Sequence, residues 1–181
     1  MSTPTDDEIQ QQLDAAFSRS SLFSRPGFLI RRLHQIHTSL FLDETREYNI
    51  TPVQYSLITT LAALGEMDQS SLAQEIGLER TSVAEVIPRL EQRELLERRR
   101  SSEDRRVKLV RLRPQGYQLL EQMRPLVQRA HDRTIEALPE GERKRFLLQL
   151  IQLVEANNHL GNAPFKPAAR RPDARKPDAQ T

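Results

Sequence analysis

The sequence predicts a mostly α-helical protein with a small β-wing, and three observations support this fold class. Two short amphipathic helical patterns meet at a glycine within residues 69–92. A hairpin pattern follows in residues 95–113, and its second strand alternates apolar and basic residues. Longer patterns with apolar stripes at helical spacing stand on both sides of this region. Together these patterns predict a winged helix-turn-helix lobe carried by helices from both ends of the chain.

Residues 1–27 are predicted to form an N-terminal extension that is partly helical. Its apolar residues recur on one side of a helix that begins near Glu8: Ile9, Leu13, Ala16 and Phe17. Arg25-Pro26-Gly27 marks the end of the extension. The acidic, polar start is unlike a signal peptide, and the chain has no apolar run near the roughly 18 residues of a membrane-spanning helix. We therefore expect a cytoplasmic protein with no membrane contact.

Residues 28–64 contain two predicted helices. The first begins at Phe28 and ends near Tyr48, with apolar residues at helical spacing. The second is bounded more sharply. Thr51 is suited to cap it, and Pro52 is suited to its first position because a proline there loses no hydrogen bond.

Residues 65–116 contain the predicted helix-turn-helix and wing. Ser70 and Ser71 are candidates to cap the first helix, because a short hydroxyl accepts from a free backbone N–H. Gly77 permits a sharp turn before the second helix, which we call the reader helix. The apolar face of the reader helix consists of four residues: Val83, Val86, Ile87 and Leu90. Pro88 lacks an N–H for the helix ladder and is expected to kink this helix.

The charge of the chain is concentrated around this lobe. Residues 80–116 hold eleven basic and six acidic residues, a net charge of +5, whereas residues 1–79 hold five basic and eleven acidic residues, a net charge of −6. The whole chain has a formal net charge of only +2. A local basic patch attracts phosphates without making the whole surface adhesive. This distribution favours a nucleic-acid partner.

Residues 117–158 predict two further helices, and Pro125 is expected to bend the first of them. From residue 159 to residue 181 the composition changes to proline, alanine and charged residues. This segment has little apolar surface to bury, so we expect a disordered tail. Its basic residues would either solubilise the protein or touch DNA without specificity.

The wing and the reader helix resemble those of the MarR family of bacterial transcription regulators. The similarity extends over about residues 28–157, and its most specific part is the wing. There, Asp104-Arg105-Arg106 leads into an apolar strand and then Gly116. The opening of the reader helix, Leu78-Glu79-Arg80-Thr81-Ser82-Val83, fits as well. One departure is Glu94, which stands where the family has glycine. A left-handed backbone there would cost a glutamate about 1 kcal/mol.

The resemblance implies a homodimer in which residues 28–64 and 117–158 supply the dimerisation and linking helices. The low hydrophobic content, 37% of residues, agrees with a core that a partner completes. The expected function is that of a transcriptional repressor on double-stranded DNA. Its operator would be pseudo-palindromic, with reader helices about 34 Å apart.

Eight residues are predicted to contact DNA: Ser70, Arg80, Thr81, Ser82, Arg89, Arg105, Arg106 and Lys108. Hydroxyls and free N–H groups at a helix start suit phosphates and base edges, and an arginine reaches both acceptors of guanine. The plainer alternatives are a helix cap and a solvated helix face. The resemblance places Arg106 in the minor groove with Asp104 orienting it. We expect Arg98-Arg99-Arg100 to form an electrostatic surface, and Glu85 to pair with Arg89 rather than accept from cytosine.

Residues 25–35 are similar to the first helix of MarR relatives that serve the degradation of aromatic acids such as hydroxybenzoates and hydroxycinnamates. This similarity implies an effector of that class, which releases the protein from DNA by preferring its non-binding conformation. Five residues are candidate ligand contacts: Phe28, Arg31, Arg32, His37 and Tyr55. Arginines suit a carboxylate, His37 and Tyr55 a phenolic hydroxyl, and Phe28 a ring. Alternatively, the arginines pair with acidic residues and the histidine lies on a solvated or interface face.

Other classes of function fit the sequence less well. We find no phosphate-binding glycine loop and no nucleophile elbow, so we expect neither an enzyme nor a bound cofactor. The chain has no cysteine and four histidines, so we expect no metal site and no thiol-oxidation switch. The alternative function is that of an architectural or adaptor protein. Such a protein would act through its helical dimer surface and bind DNA without specificity.

Overall fold

The structure of the chain is a computed structural model that describes residues 5–102, 104–163 and 165–167. Seven α-helices lie within these ranges: α1 (Asp6–Arg19), α2 (Pro26–Glu44), α3 (Pro52–Leu64), α4 (Gln69–Glu75), α5 (Arg80–Gln92), α6 (Pro114–Ile135) and α7 (Glu140–Asn157). The same ranges hold three strands: β1 (Met67–Asp68), β2 (Leu96–Arg100) and β3 (Lys108–Leu112). This arrangement confirms the predicted mostly α-helical fold with a small β-wing.

The wing belongs to a three-stranded antiparallel sheet in the order β1-β3-β2. β2 and β3 form the expected hairpin, in which Leu96 lies opposite Leu112 and Arg100 lies opposite Lys108. β1 pairs with the other side of β3. This strand was not predicted, because two residues are too few to show the alternation that reveals a strand.

α4 and α5 form the helix-turn-helix, but the predicted caps of α4 are wrong. The Asp68 carboxylate accepts the backbone N–H groups of Ser70 and Ser71 at 2.8 and 3.1 Å. Both serines therefore lie in the first turn of α4 rather than before it. The Asp68 carboxylate accepts both of these N–H groups because Asp68 is the residue immediately before the helix. The turn itself agrees with the prediction, since Gly77 has a φ of 65°.

The reader helix α5 continues through Pro88 without a break. Three residues of its predicted apolar face are fully buried: Val83, Ile87 and Leu90. Arg93, which follows the helix, donates to the backbone oxygens of Tyr48 and Asn49 at 2.8 and 2.7 Å. These two bonds fix the end of the reader helix to the connection between α2 and α3.

The core lies between the helix-turn-helix, α3, α6 and the sheet. Its fully buried side chains include Leu57, Ile58, Leu61, Leu72, Leu96 and Met123. α6 enters this core at Gly116, where an added Cβ atom would lie 2.3 Å from the backbone oxygen of Leu95. Only glycine fits this approach, which explains the glycine at the end of the wing motif.

The helices at the two ends of the chain leave apolar surface uncovered. α1 and α7 contain no buried residue. Large apolar side chains are exposed on these helices and on α2: Ile9, Leu13, Leu29, Ile30, Ile36, Leu147, Leu148, Ile151, Leu153 and Val154. Apolar surface of this kind usually marks a region that another molecule covers. Among the described residues, every helix is too short or too polar to cross a bilayer.

The chain after α7 differs from the disordered tail that the composition predicts from residue 159. Asn158–Leu160 form a 3-10 turn, and Phe165 and Lys166 are hydrogen-bonded to other parts of the chain. The composition of this segment does not predict an ordered structure, because Phe165 is the single aromatic residue in a polar, proline-rich segment. Residue 164 and residues 168–181 of the predicted tail lie outside the described residues.

Glu94 supplies a test of backbone strain. Its φ of 57° is left-handed, a conformation that costs residues with a Cβ atom free energy. Its carboxylate contacts Arg113 at 3.3 Å, but an exposed pair of this kind contributes little. We expect Glu94→Gly to raise the free energy of unfolding by about 1 kcal/mol in urea denaturation. Glu94→Ala keeps the Cβ atom and is the control. An equal gain in Glu94→Ala would contradict the strain explanation.

Candidate nucleic-acid interface and ligand cavity

The reader helix presents all four of its predicted contact residues to solvent. The exposed residues are Arg80, Thr81, Ser82 and Arg89. Helical periodicity places Thr81, Glu85 and Pro88 opposite the buried stripe, at the centre of the exposed face. The Gln69 side chain donates to the Arg80 backbone oxygen at 3.1 Å and so links the starts of α4 and α5. Ser70 differs from the other four, because it is half-buried.

The expected ion pair between Glu85 and Arg89 does not form. Both residues are exposed, and neither has an ion-pair partner among the described residues. An exposed pair one turn apart on a helix gains only a few tenths of a kcal/mol, so hydration of the separate charges competes with it. Glu85 therefore keeps a carboxylate that is available to accept from the amino group of cytosine.

Most arginines of the sheet are bound by carboxylates of the same chain. Three of them each bind one glutamate: Arg98 binds Glu91, Arg99 binds Glu66 and Arg111 binds Glu97. The hydrogen bond from Arg98 lowers the pKa of Glu91, and the hydrogen bond from Arg99 lowers the pKa of Glu66. The predicted electrostatic surface is therefore corrected, because carboxylates of the lobe balance the charges of Arg98 and Arg99.

Cations without an ion pair collect around the tip of the wing. Within the described part of the chain, four such residues are exposed there: Arg100, Arg105, Arg106 and Lys108. Arg100 and Lys108 lie directly opposite each other across the hairpin, an arrangement that like charges disfavour. A neighbouring anion would relieve this repulsion. The wing tip is therefore the part of the lobe best suited to a phosphate backbone.

Asp104 orients Arg106 through the main chain. Its Oδ1 accepts the backbone N–H of Arg106 at 2.8 Å. Its backbone oxygen accepts the N–H of Val107 at 3.0 Å, and the Val107 oxygen accepts the N–H of Ser101 at 2.9 Å. These bonds define the turn that carries Arg105 and Arg106. The Arg106 guanidinium remains exposed and available to a partner.

A cavity of about 370 Å³ lies where the long helices meet the end of α4. Its size falls within the range of small-molecule pockets, roughly 300–1,000 Å³. Polar and aromatic residues of α2, α3, α4 and α6 line it: His37, Phe41, Tyr55, Thr59, Glu75 and His131. His37 and Tyr55 were predicted ligand contacts. His131 was not, because 94 residues separate it from His37 and no local pattern shows that they meet.

His37 has a defined tautomer in this cavity. The Thr134 hydroxyl donates its one proton to the Ala130 oxygen at 2.7 Å, so it accepts from His37 Nδ1 at 2.8 Å. Nδ1 therefore carries the proton, and Nε2 of the neutral ring is an acceptor. The His37 ring stacks on His131 with centroids 5.1 Å apart. Burial lowers the pKa of His37, and the positive charges of His131 and His34 lower it further.

The remaining predicted ligand contacts do not line this cavity. Phe28 and Arg31 lie near the start of α2, where the Arg31 guanidinium is 5.4 Å from the centroid of the Phe28 ring. Arg32 donates to the Gln35 side chain at 3.3 Å. The structure thus separates the five candidates into two groups on one chain. Their role as ligand contacts stays a prediction.

This geometry defines a winged helix-turn-helix protein, and comparison with known proteins gives its family. The model of the MarR family matches residues 50–108. The chain is 26% identical to the HTH-type transcriptional repressor NicR of Pseudomonas putida, over 75% of this chain and 85% of NicR. It is 33% identical to the HTH-type transcriptional regulator FarR of Neisseria gonorrhoeae, over 63% of this chain and 78% of FarR. The chain belongs to the MarR family, and it is a DNA-binding transcriptional regulator rather than an enzyme.

A solved structure supports the same assignment. It concerns the regulation of DNA binding of Bordetella bronchiseptica BpsR by 6-hydroxynicotinic acid. The two structures superpose with a TM-score of 0.69 at 27% sequence identity. The superposition covers 72% of this chain and 94% of the BpsR chain.

The wing assignment gives a direct prediction. We expect Arg106→Ala to weaken DNA binding by roughly 1–3 kcal/mol, because the wing tip loses an exposed cation that Asp104 orients and that has no ion pair among the described residues. Fluorescence anisotropy at fixed salt measures the change. Arg111→Ala is the matched control, since Glu97 already binds that charge within the same hairpin, and it should change affinity much less. Equal losses in the two variants, or no loss in Arg106→Ala, would contradict the assignment.

Proposed function

We propose that this protein is a homodimeric repressor that leaves a pseudo-palindromic operator when a small aromatic acid binds, such as a hydroxybenzoate or a hydroxycinnamate. It would act in the cytoplasm and control genes for the breakdown of aromatic compounds. The observation that carries this proposal is the position of the cavity. Its wall includes Glu75 and Ile76, at the end of the helix that precedes the reader helix. A ligand there would touch the part of the chain that positions the DNA-binding surface.

The uncovered faces of α1 and α7 support a dimer. A second copy that packs on these faces would remove their apolar side chains from water. In a two-fold dimer the same patch serves both chains, so symmetry relates the two reader helices. Reader helices about 34 Å apart would enter successive major grooves, and this spacing requires two similar half-sites.

The proposed DNA contacts divide into two roles. Arg106 would enter the minor groove, where a narrow A·T tract concentrates negative potential. Arg105 and Lys108 would bind neighbouring phosphates. The remaining contacts lie on the helix-turn-helix, where they would meet phosphates and base edges of the major groove: Ser70, Arg80, Thr81, Ser82, Glu85 and Arg89.

The chemistry of the cavity supports an aromatic acid as effector. Phe41 and Tyr55 offer aromatic surface, with ring centroids 5.8 Å apart. His37 Nε2 accepts from a ring hydroxyl when the imidazole is neutral and donates to a carboxylate when it is protonated. His131 stacks beside it and provides a second imidazole. In this arrangement the imidazoles would bind the carboxylate, which the sequence analysis expected Arg31 or Arg32 to bind. The DNA binding of the similar protein BpsR is regulated by 6-hydroxynicotinic acid.

Fluorescence anisotropy with DNA from upstream of the protein's own gene tests this function. We expect saturable binding that prefers this DNA to a random duplex at the same salt. One aromatic acid should release the protein, while its uncharged amide should not. Specific binding without release by any aromatic acid would retain the regulator and overturn the effector. Equal affinity for random DNA would favour the adaptor alternative, for which the apolar face of α7 offers a protein-binding surface.

Effector affinity should also depend on pH. In the free protein, burial holds the pKa of His37 below its ordinary value near 6.5, so the ring is neutral at pH 7. A bound carboxylate would favour the charged ring and raise the pKa, so binding would take up a proton. We therefore expect affinity to increase as the pH falls, and to decrease as the pH rises through the pKa of His37 in the complex.

Isothermal titration calorimetry in buffers of different ionisation enthalpy counts the protons taken up. The pH dependence should be reduced in His37→Asn, which leaves the imidazole of His131 in the cavity. It should persist in His34→Asn, a change on the same helix at a residue that does not line the cavity. Binding that takes up no proton, or equal effects of the two substitutions, would remove His37 from the carboxylate site.

A further inference from the structure

The segment after α7 returns to the helix-turn-helix of the same chain. Asn158 holds a local loop closed, since its Nδ2 donates to the Phe165 oxygen at 2.6 Å and its Oδ1 accepts the Phe165 N–H at 2.8 Å. The next N–H, that of Lys166, donates to the Gln74 oxygen at 2.9 Å. Phe165 also lies against the turn, because an added Cβ atom on Gly77 would be 3.5 Å from the Phe165 Cβ. We call residues 158–163 and 165–167 the strap.

The strap also contacts α7, so it connects two parts of the molecule. Phe165 and Pro167 line an apolar cavity together with residues of α7: Leu147, Leu150, Ile151 and Val154. The strap therefore lies between a helix of the proposed dimer and the turn that precedes the reader helix. It adds a connection to the lobe beyond the two that the chain makes through α3 and α6.

The strap and the ligand cavity share one short piece of chain. Gln74 and Gly77 contact the strap, while Glu75 and Ile76 between them line the cavity. The reader helix begins at Arg80, three residues after Gly77. α4 has only seven residues, and a helix of that length depends on tertiary contacts for its stability. Leu72 and Ala73 anchor α4 in the core, and the strap adds a contact on the other side of the turn from the cavity.

We propose that the strap is an intramolecular tether that holds the α4–α5 turn in place, and so orients the reader helix and stiffens one wall of the ligand cavity. Its effect on ligand response rests on the function proposed above, whereas the tether itself does not. A fixed turn lowers the entropy that the lobe loses when DNA or a ligand binds. Releasing the strap should therefore weaken both kinds of binding without unfolding the protein.

Hydrogen–deuterium exchange of the full chain tests the tether without DNA or ligand. Asn158→Ala removes both side-chain bonds to Phe165, and we expect the amides of residues 74–79 to exchange about fivefold faster. Asn157→Ala is the matched control, because the Asn157 side chain bonds only within its own helix, to the Leu153 oxygen at 2.8 Å. Phe165→Ala should reproduce the effect of Asn158→Ala. Unchanged exchange in residues 74–79 in both strap variants would overturn the proposal.

DNA binding supplies a second readout. We expect Asn158→Ala and Phe165→Ala to weaken binding to upstream DNA by roughly fivefold, with Asn157→Ala unchanged. Faster exchange without any loss of DNA affinity would mean that the strap holds the turn but does not orient the reader helix. This result would overturn the proposed effect on DNA binding. If the unaltered protein fails to prefer upstream DNA, the proposed function falls, while the exchange experiment still decides whether the tether exists.

Discussion

The reader helix, the wing and α6 meet at the main chain of Leu95, and the geometry of the lobe depends on this meeting. The N–H of Leu95 donates to the Leu90 oxygen at 3.1 Å and so closes the end of the reader helix. The oxygen of Leu95 accepts the N–H of Arg113 at 3.0 Å, and Gly116 approaches the same oxygen. Because the left-handed Glu94 sets the direction in which the chain enters this point, the wing and the reader helix have a fixed relative position.

The positive charge of the lobe is concentrated at one edge, although basic residues are spread over the whole sheet. Glutamates bind the arginines in the body of the sheet, so that part of the surface has little net field. The cations of the tip have no such partners among the described residues. A polyanion such as DNA is therefore attracted to one edge of the lobe. Its affinity should fall as salt rises, and more steeply the more phosphates are contacted there.

Features that depend on neighbouring residues could be predicted from the sequence. Thr51 caps α3 and Pro52 begins it, as local chemistry requires, and the wing hairpin follows from its alternation. Features that join distant residues could not be predicted. The pair of Glu66 with Arg99 spans 33 residues, and its two charges give no sign of their partnership. Phe165 is a similar case, because its contacts with α7 and with Gly77 join residues that are far apart in the sequence.

The four residues from Gln74 to Gly77 have contacts on two sides, and this has a consequence for how the protein can evolve. A substitution that reshapes the cavity through Ile76 also shifts the main chain on which Lys166 and Phe165 rest. Under the proposed function, such a change would alter ligand choice and reader-helix position together, so selection would act on both at once. Within the described residues, the hydrogen bonds of Phe165 and Lys166 go to Asn158 and Gln74, and not to the walls that α2, α3 and α6 supply. We therefore expect new ligand preferences to arise in lineages of this protein mainly through residues of those three helices.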